Sequence, residues 1–301
     1  MAVITKKAPQ QAVPEQKPLR VAVQKTTGGA GAKVELMTLG SMLILIASLL
    51  LLFGGYLLGA SGLQASRDQD TAYDNFRDDL ENAIAPVAQP ITEGASIAIL
   101  EIPGLKVRAV VAEGTSSEIT MRGPGHLPST VLPGQLGQSV IFGRRSTFGA
   151  PFAHLDALRK GDPITVTTGQ GVSQYVVTDV WTSNSNGTIN SAAAGQLLLV
   201  TSDPTLTPIR RLTASASLVG QPFPAGGTVA VRSDEFAGRG DTAALVPLVL
   251  WGQLLLVVVG AAVYGYQRWR RPVVYLLTTP IVAFVLWNVF DQVARLLPNT
   301  L

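Results

Sequence analysis

The sequence predicts a mainly β domain, closed into a barrel, together with three transmembrane α-helices. The 301-residue chain has a mean hydropathy of +0.31 and 14% charged residues, which is too apolar for a soluble domain alone. Three apolar windows are long enough to cross a bilayer, which takes about 20 residues. Short strand-like runs bounded by Gly, Pro, Asp or Asn fill most of the chain between the first two windows.

The apolar windows set the predicted domain boundaries. They give transmembrane helices at 36–60, 244–266 and 273–293, and Pro280 lies inside the third, where neighbouring helices can accommodate it. Before and after the β region we expect an amphipathic helix with a linker at 61–94 and a second linker at 232–243. A disordered tail at 1–35, a loop at 267–272 and a tail at 294–301 complete the organisation.

Basic residues predict how these helices are oriented. Lys and Arg cluster before the first helix, and Arg268, Arg270 and Arg271 lie between the second and third. Both clusters suit the cytoplasmic side by the positive-inside rule. We therefore expect a three-span cell-membrane protein with a cytoplasmic N-terminus and with 95–231 and 294–301 outside. Attraction of the clusters to anionic membrane lipid explains the net charge of +3, and no basic-aromatic pattern indicates nucleic acid.

Cysteine and histidine counts restrict the chemistry. The chain has no cysteine, which excludes disulfides, thiolate metal sites and cysteine nucleophiles. Its two histidines, His126 and His154, leave little room for a histidine-rich metal site. The sequence therefore predicts neither a metal nor a cofactor.

Within 95–231, seven runs are typical of strands. A turn at Thr168–Gly171 fits a hairpin between two of them. Phe152, Leu155 and Leu158 recur at helical spacing and predict one short helix, and the spacing of apolar residues over 68–84 predicts the amphipathic helix. Tyr175, Val177 and Trp181 are interpreted as core or rim packing. The strand-like runs are AILEIPG, VRAVVAEG, SVIFG, ITVTT, YVVTDVW, LLLVTS and RRLTASASLVG.

Three blocks of this region carry a resemblance to a known family. They are ILEIPGLKVRAVVAEGTSSE, then RGPGHLPSTVLPGQLGQSVIFGRRSTFGAPFAHLDALRKGDPITV, then LLLVTSDP followed by RRLTASASL. Residues 97–218 thereby resemble the sortases, membrane-anchored transpeptidases of Gram-positive bacteria, and are similar to the actinobacterial kinds. The resemblance implies a closed barrel of about eight strands with a few short helices.

The resemblance also implies where catalysis would occur. In sortases of this type a cysteine attacks the threonine carbonyl of a C-terminal sorting signal, assisted by a histidine and an arginine, and an amine resolves the thioester. In this chain the cysteine position is Ser202 and the histidine position is Arg144. The arginine corresponds to Arg211, with Arg210 as the alternative if the register shifts by one. Arg145 matches the arginine that follows the histidine in the family, and we interpret it as a structural residue. The family site is therefore degenerate in two positions.

Elementary chemistry argues against turnover at this site. A thiol with a pKa near 8.5 ionises readily, whereas an alcohol needs a general base within hydrogen-bond reach. Arg144 stays protonated and cannot be that base. Asp203 is poorly placed, because consecutive strand residues point to opposite faces. His126, in a loop that lies near the substrate groove of sortases, is the remaining candidate as a substrate-binding or catalytic residue.

Three functions follow from these observations. The first is a catalytically inactive sortase homologue of the cell envelope that binds a peptide or protein partner. Arg144 and Arg211 could then bind an anion, or Arg144 could reach solvent at the barrel rim. The second is a Ser202-dependent transpeptidase or hydrolase acting on sorting signals. The third is a membrane scaffold that binds a helix partner through small residues, namely Gly252, Gly260, Ala261, Ala262 and Gly265.

Overall fold

The computed structural model describes residues 28–183, 195–205, 209–228, 240–268 and 271–301. The predicted disordered tail up to residue 27 and most of the predicted linker at 232–243 lie outside these described residues. The chain divides into two compact units, residues 1–50 and residues 51–301. The second unit contains the whole barrel.

Eight strands close into a barrel, as the sequence predicts. Their order around the barrel is β1-β2-β3-β4-β7-β8-β6-β5, and β5 pairs with β1 to close it. The β2–β3 and β4–β7 pairs are parallel, and the other pairs are antiparallel. The strands are β1 Ser96–Ile102, β2 Val107–Glu113, β3 Gly125–His126, β4 Gln138–Phe142, β5 Pro163–Thr168, β6 Gly171–Ser183, β7 Gln196–Asp203 and β8 Arg210–Val219.

The main core fills the barrel because alternate strand residues point inward. On β7, Leu197 and Leu199 belong to this core, whereas Val200 packs in a separate cluster with Leu127 and other residues. Tyr175 and Val177 are buried on β6, and Trp181 is 39% exposed, which confirms their interpretation as core and rim residues.

Five α-helices accompany the barrel in the described part of the chain: α1 Gly28–Gly55, α2 Ser61–Glu81, α3 Ser117–Arg122, α4 Leu245–Arg268 and α5 Arg271–Arg295. A π-helical turn, Tyr56–Ala60, joins α1 to α2. Three helical stretches, 40–81, 242–268 and 273–295, have the length and composition to cross a membrane. The three predicted spans are therefore found as helices.

Three local predictions differ from the structure. Residues 28–35, predicted to belong to the disordered tail, lie in α1, which begins at Gly28. The amphipathic helix predicted over 68–84 begins at Ser61 without a break after the first span and ends at Glu81, and Ala83 then takes a positive φ of 55°. The short helix predicted around Phe152, Leu155 and Leu158 is a 3-10 turn at Leu155–Ala157. Its helical spacing arises because a turn-rich segment inserts these three apolar side chains into the barrel core. The predicted hairpin is present, with Thr168 paired to Gly171.

Candidate functional site

Strands β7 and β8 bring the predicted nucleophile position beside the predicted arginine. Ser202 pairs directly with Arg211, while Asp203 pairs with Arg210. Opposed residues of an antiparallel pair have Cβ atoms about 4.5–5.5 Å apart, so Arg211 is the neighbour of Ser202. Burial lowers the pKa of the Arg211 guanidinium. Arg210 is half-exposed, and its Nη2 lies 2.9 Å from Asp203 Oδ2.

The loop after β4 carries Arg144 and is locked to β7. Gly143 donates its N–H to the Val200 carbonyl at 3.1 Å, and the Thr201 hydroxyl donates to the Gly143 carbonyl at 2.8 Å. A Cβ at position 143 would overlap the ring of Phe152, so this close approach requires glycine. The chain thus leaves β4 in a fixed direction, next to the end of β7.

Arg144 is fully buried, at 0% exposure. Its Nη1 donates to Thr147 Oγ1 at 3.1 Å, and its Nη2 donates to the carbonyl and the hydroxyl of Ser117, both at 3.4 Å. Its guanidinium carbon lies 4.9 Å from the centre of the Phe148 ring, which places the cation over the π face. Within the described ranges, none of the ion pairs involves Arg144. A buried cation thus relies on hydroxyls, one carbonyl and a ring.

Burial decides what Arg144 can do. It lowers the pKa of Arg144 to about 9, which still leaves the guanidinium protonated at pH 7. Arg144 is therefore a hydrogen-bond donor and a fixed positive charge, not a proton acceptor. The expectation that this side chain could reach solvent at the barrel rim is wrong, because loop 143–152 and the neighbouring helices enclose it.

Arg145 holds the end of β7 in place. Its Nη1 donates to the Ser202 carbonyl at 2.8 Å and to Asp203 Oδ1 at 2.9 Å, and its Nη2 lies 3.3 Å from Asp156 Oδ2. The side chain is 7% exposed. Because Asp203 binds Arg145 and Arg210, its carboxylate is not engaged with the Ser202 hydroxyl.

The residues that follow α5 lie at Ser202. We call Leu297–Leu301, with the sequence LPNTL, the LPNTL segment. The Ser202 hydroxyl donates to the Thr300 carbonyl at 2.8 Å, and the backbone N–H of Arg145 donates to the same oxygen at 3.2 Å. One peptide carbonyl therefore receives two converging hydrogen bonds.

Other groups of the barrel domain hold the rest of the LPNTL segment. The Ser117 hydroxyl donates to the Leu297 carbonyl at 2.8 Å, and the Thr147 hydroxyl donates to the backbone oxygen of Leu301 at 2.7 Å. Asn299 Nδ2 donates to the Thr115 carbonyl at 2.5 Å. Asn299 and Thr300 are each 2% exposed. The segment is thus bound along its length, mainly through its backbone carbonyls.

Ser117 and Thr147 connect this segment to Arg144. Each hydroxyl accepts a hydrogen bond from the guanidinium and donates one to a carbonyl of the LPNTL segment. Arg144 therefore acts on both ends of the segment, through Leu297 and Leu301, while Ser202 binds Thr300 between them.

His126 does not lie in an open loop. It is 0% exposed on β3, with Nδ1 2.8 Å from Glu113 Oε2 and Nε2 3.0 Å from the Val131 carbonyl. Gln89 Nε2 donates to the other Glu113 oxygen at 2.6 Å. Both ring nitrogens thus face acceptors in a buried network. The interpretation of this segment as a loop is wrong for its last two residues, because Gly125–His126 form a barrel strand between β2 and β4.

The arrangement around Ser202 can bind a peptide carbonyl. Two donors directed at one carbonyl oxygen bind and polarise that group. Nucleophilic attack by an alcohol also needs a group that takes its proton. Among the described residues, the Ser202 hydroxyl donates its proton to a carbonyl oxygen, and no group of three His, Asp or Glu side chains is placed to hold a metal.

Sequence reasoning missed Ser117, Thr147 and the LPNTL segment. A single hydroxyl residue carries no periodic signal, and the sequence predicts only a tail at 294–301. The available signal was Thr300, since the resemblance implies a groove for a threonine carbonyl. Strand register could not predict that Thr300 lies beside Ser202, because the two residues are 98 positions apart in the chain.

Comparisons with known proteins identify the domain. A family model described as the sortase domain matches residues 100–219. Sortase SrtE1 of Streptomyces coelicolor is 33% identical over 144 residues, which are 46% of this chain and 41% of that protein. Sortase D of Bacillus subtilis is 30% identical over 118 residues, or 39% of this chain and 52% of that protein.

The chain thus spans about half the length of the curated relatives it matches. Among solved structures, sortase E from Streptomyces avermitilis is 30% identical with a TM-score of 0.39, over 44% of this chain and 93% of that one.

Proposed function

We propose that this chain, whose residues 100–219 form a sortase-family domain, is a catalytically inactive sortase homologue that binds a peptide or protein partner at the cell envelope. Sortases are transpeptidases that act on cell-wall sorting-signal peptides. The hydrogen bond from Ser202 to the Thr300 carbonyl, at 2.8 Å, is the observation that carries the proposal. At the position of the family's nucleophile, the serine hydroxyl donates a hydrogen bond to a peptide carbonyl.

Two replacements support inactivity together. Ser202 stands at the position of the cysteine and Arg144 at the position of the histidine. General-base assistance contributes about 10²–10⁴-fold to rates, and a buried, protonated guanidinium cannot supply it. The cation at Arg144 also disfavours any positive charge that would build up on a neighbouring base.

Peptide binding is supported by the polarity of the groove. The donors around Ser202 converge on a threonine carbonyl, the group that sortases attack in a sorting signal. Arg211 pairs with Ser202 on the neighbouring strand β8, so a cationic residue flanks the Ser202 position. These groups bind a carbonyl in the ground state whether or not a bond is later broken.

The membrane arrangement that we propose has three spans, with the barrel and the end of α5 on the outer side. The contacts of the LPNTL segment with the barrel support this, since they require both to lie on one side of a membrane. Gly252 and Gly260 on α4 have open space where a Cβ would stand, which supports a surface for a helix partner.

A turnover assay tests the proposed inactivity. The full chain in detergent is incubated with peptides that carry a cell-wall sorting signal and with an amine acceptor, and products are identified by mass spectrometry. We expect no product above that of the Ser202→Ala variant. A Ser202-dependent product would contradict inactivity and would establish the transpeptidase alternative.

The double variant Arg144→His with Ser202→Cys is the matched positive control. It restores both family positions, so we expect cleavage that neither single variant shows. The assay is repeated without residues 297–301, so that the LPNTL segment cannot mask activity.

A further inference from the structure

The LPNTL segment occupies the groove in the manner of a ligand. We propose that residues 297–301 are the resident ligand of the Ser202 groove, so that another peptide binds there only when this segment withdraws. The inference rests on the proposed peptide-binding function and adds the identity of the occupant and the condition for exchange.

The contacts resemble recognition of a peptide backbone more than the packing of an adjoining segment. Three backbone oxygens, those of Leu297, Thr300 and Leu301, each accept a hydrogen bond from a hydroxyl of the barrel domain. Each such bond is worth about 0.5–1.5 kcal/mol net, and an unmatched buried donor costs more. A departing segment would leave the Ser117, Thr147 and Ser202 hydroxyls without these acceptors, and the groove therefore favours being filled by another peptide backbone.

The two replaced family positions both serve this occupant. Ser202 binds Thr300 directly. Arg144 binds Ser117 and Thr147, the two hydroxyls that hold Leu297 and Leu301. This gives a function to a buried cation that would otherwise be a cost to the fold. It also explains why an arginine can stand where a proton-transfer residue would stand in an active enzyme.

The segment is tethered on a short connection. One residue, Leu296, separates it from the end of α5 at Arg295. Arg295 Nη1 lies 2.8 Å from Glu118 Oε2 on α3, and the Arg295 carbonyl accepts the N–H of Asp241 at 2.8 Å. A short tether gives a local concentration of about 1 mM or more. A free peptide of equal intrinsic affinity therefore competes poorly while the segment is in place.

A binding experiment tests the proposal. The probe is a dye-labelled synthetic peptide of residues 295–301 with a C-terminal amide, titrated onto the full chain and onto a chain lacking residues 297–301, both in detergent. We expect the shortened chain to bind at least about tenfold more tightly, because the tethered competitor is gone. Ser202→Leu in the shortened chain, which removes the donor to Thr300, is expected to weaken binding. The same peptide in scrambled order is the control ligand.

Two results of the titration would overturn the proposal. Equal binding to both chains would mean that the segment does not block the groove. No binding to a shortened chain that melts as cooperatively as the full chain would mean that the segment is no ligand.

Cysteine labelling tests occupancy without removing the segment. Because the chain has no cysteine, Thr300→Cys introduces a single thiol at a position that is 2% exposed. Ile209→Cys, at a position that is 76% exposed, is the reference. We expect maleimide to label position 300 at least about tenfold more slowly, because modification requires withdrawal of the segment. An equal rate would show that the segment does not reside in the groove, whatever the titration gives.

These experiments separate the inference from the proposed function. If the shortened chain binds the peptide and also cleaves sorting signals in a Ser202-dependent way, inactivity is wrong and the segment is an inhibitor of an enzyme. If both chains are inactive in turnover and bind the peptide equally, inactivity stands and the resident-ligand inference fails.

Discussion

At the residue scale, the site is governed by a few side chains whose partners lie far away in sequence. Family resemblance places Ser202, Arg144 and Arg211 in the sequence, and pairing on β7 and β8 puts Arg211 opposite Ser202. The family resemblance could not reveal that Arg144 is fully buried, because burial depends on helices that precede and follow the barrel. It also could not show that His126 is satisfied by Glu113, since that contact links two strands.

Gly143 lies where the neighbouring Phe152 ring leaves no space for a side chain. In Gly143→Ala the new methyl group would overlap Phe152, so we expect a loss of about 1–3 kcal/mol in the free energy of unfolding. Chemical denaturation of the detergent-solubilised chain measures this loss. Gly104→Ala is the control, because the nearest atom to its Cβ is 3.9 Å away. Equal stability of the two variants would contradict the proposed close packing of the loop.

At the element scale, strands with alternating or continuous apolar residues were predictable, and β3 was not. Seven of the eight strands are evident from their patterns, because a half-buried or fully buried strand selects β-branched and apolar residues. The eighth, Gly125–His126, has two residues and no period. Its place in the barrel depends on pairing with β2 and β4, which sequence patterns do not encode.

Because β3 has only two residues, part of β2 has no strand beside it on that side. A side chain of α2 takes up the backbone hydrogen bonds of β2 there. Gln69 accepts the Val110 N–H at 2.7 Å and donates to the Val110 and Arg122 carbonyls at 3.2 and 2.9 Å. One side-chain amide thus replaces the missing stretch of strand and fixes α2 on the barrel.

Gln69→Ala should therefore destabilise the domain. It leaves the Val110 N–H and carbonyl without their side-chain partner, at a cost of about 1–3 kcal/mol. Thermal and chemical denaturation measure the change. The exposed neighbour Asp70 provides the control, since Asp70→Ala is expected to change stability by no more than about 0.5 kcal/mol. Similar values for the two variants would argue against the bridging role of Gln69.

At the scale of the whole molecule, composition predicted the class and the resemblance predicted the barrel. Large apolar side chains face outward on the candidate spans, for example Leu256 at 74% and Leu276 at 78% exposure, as expected of surfaces that contact lipid. The contact of the LPNTL segment with the barrel was not predicted, because it joins parts of the chain that no local pattern relates.

Membrane topology can be tested with single cysteines, since the chain has none of its own. We expect a membrane-impermeant maleimide to label Val172→Cys, at a position that is 61% exposed, in intact cells. Ala12→Cys and Gln267→Cys should react only after permeabilisation, because the positive-inside rule puts both in the cytoplasm. Labelling of Ala12→Cys but not of Val172→Cys in intact cells would contradict the proposed orientation.

The guanidinium behind Ser117 and Thr147 has a consequence for selectivity. A guanidinium has no acceptor, so each hydroxyl must turn its oxygen lone pair to Arg144 and its hydrogen outward. Arg144 takes one of the two lone pairs of each hydroxyl and directs its hydrogen into the groove, so at these two points the groove gives hydrogen bonds more readily than it receives them. An amide N–H presented there would meet a hydrogen, whereas a carbonyl or a carboxylate would be accepted. Arg144 thus makes the groove selective for hydrogen-bond acceptors. A neutral residue in its place would let both hydroxyls rotate, and the preference for acceptors over donors would be lost.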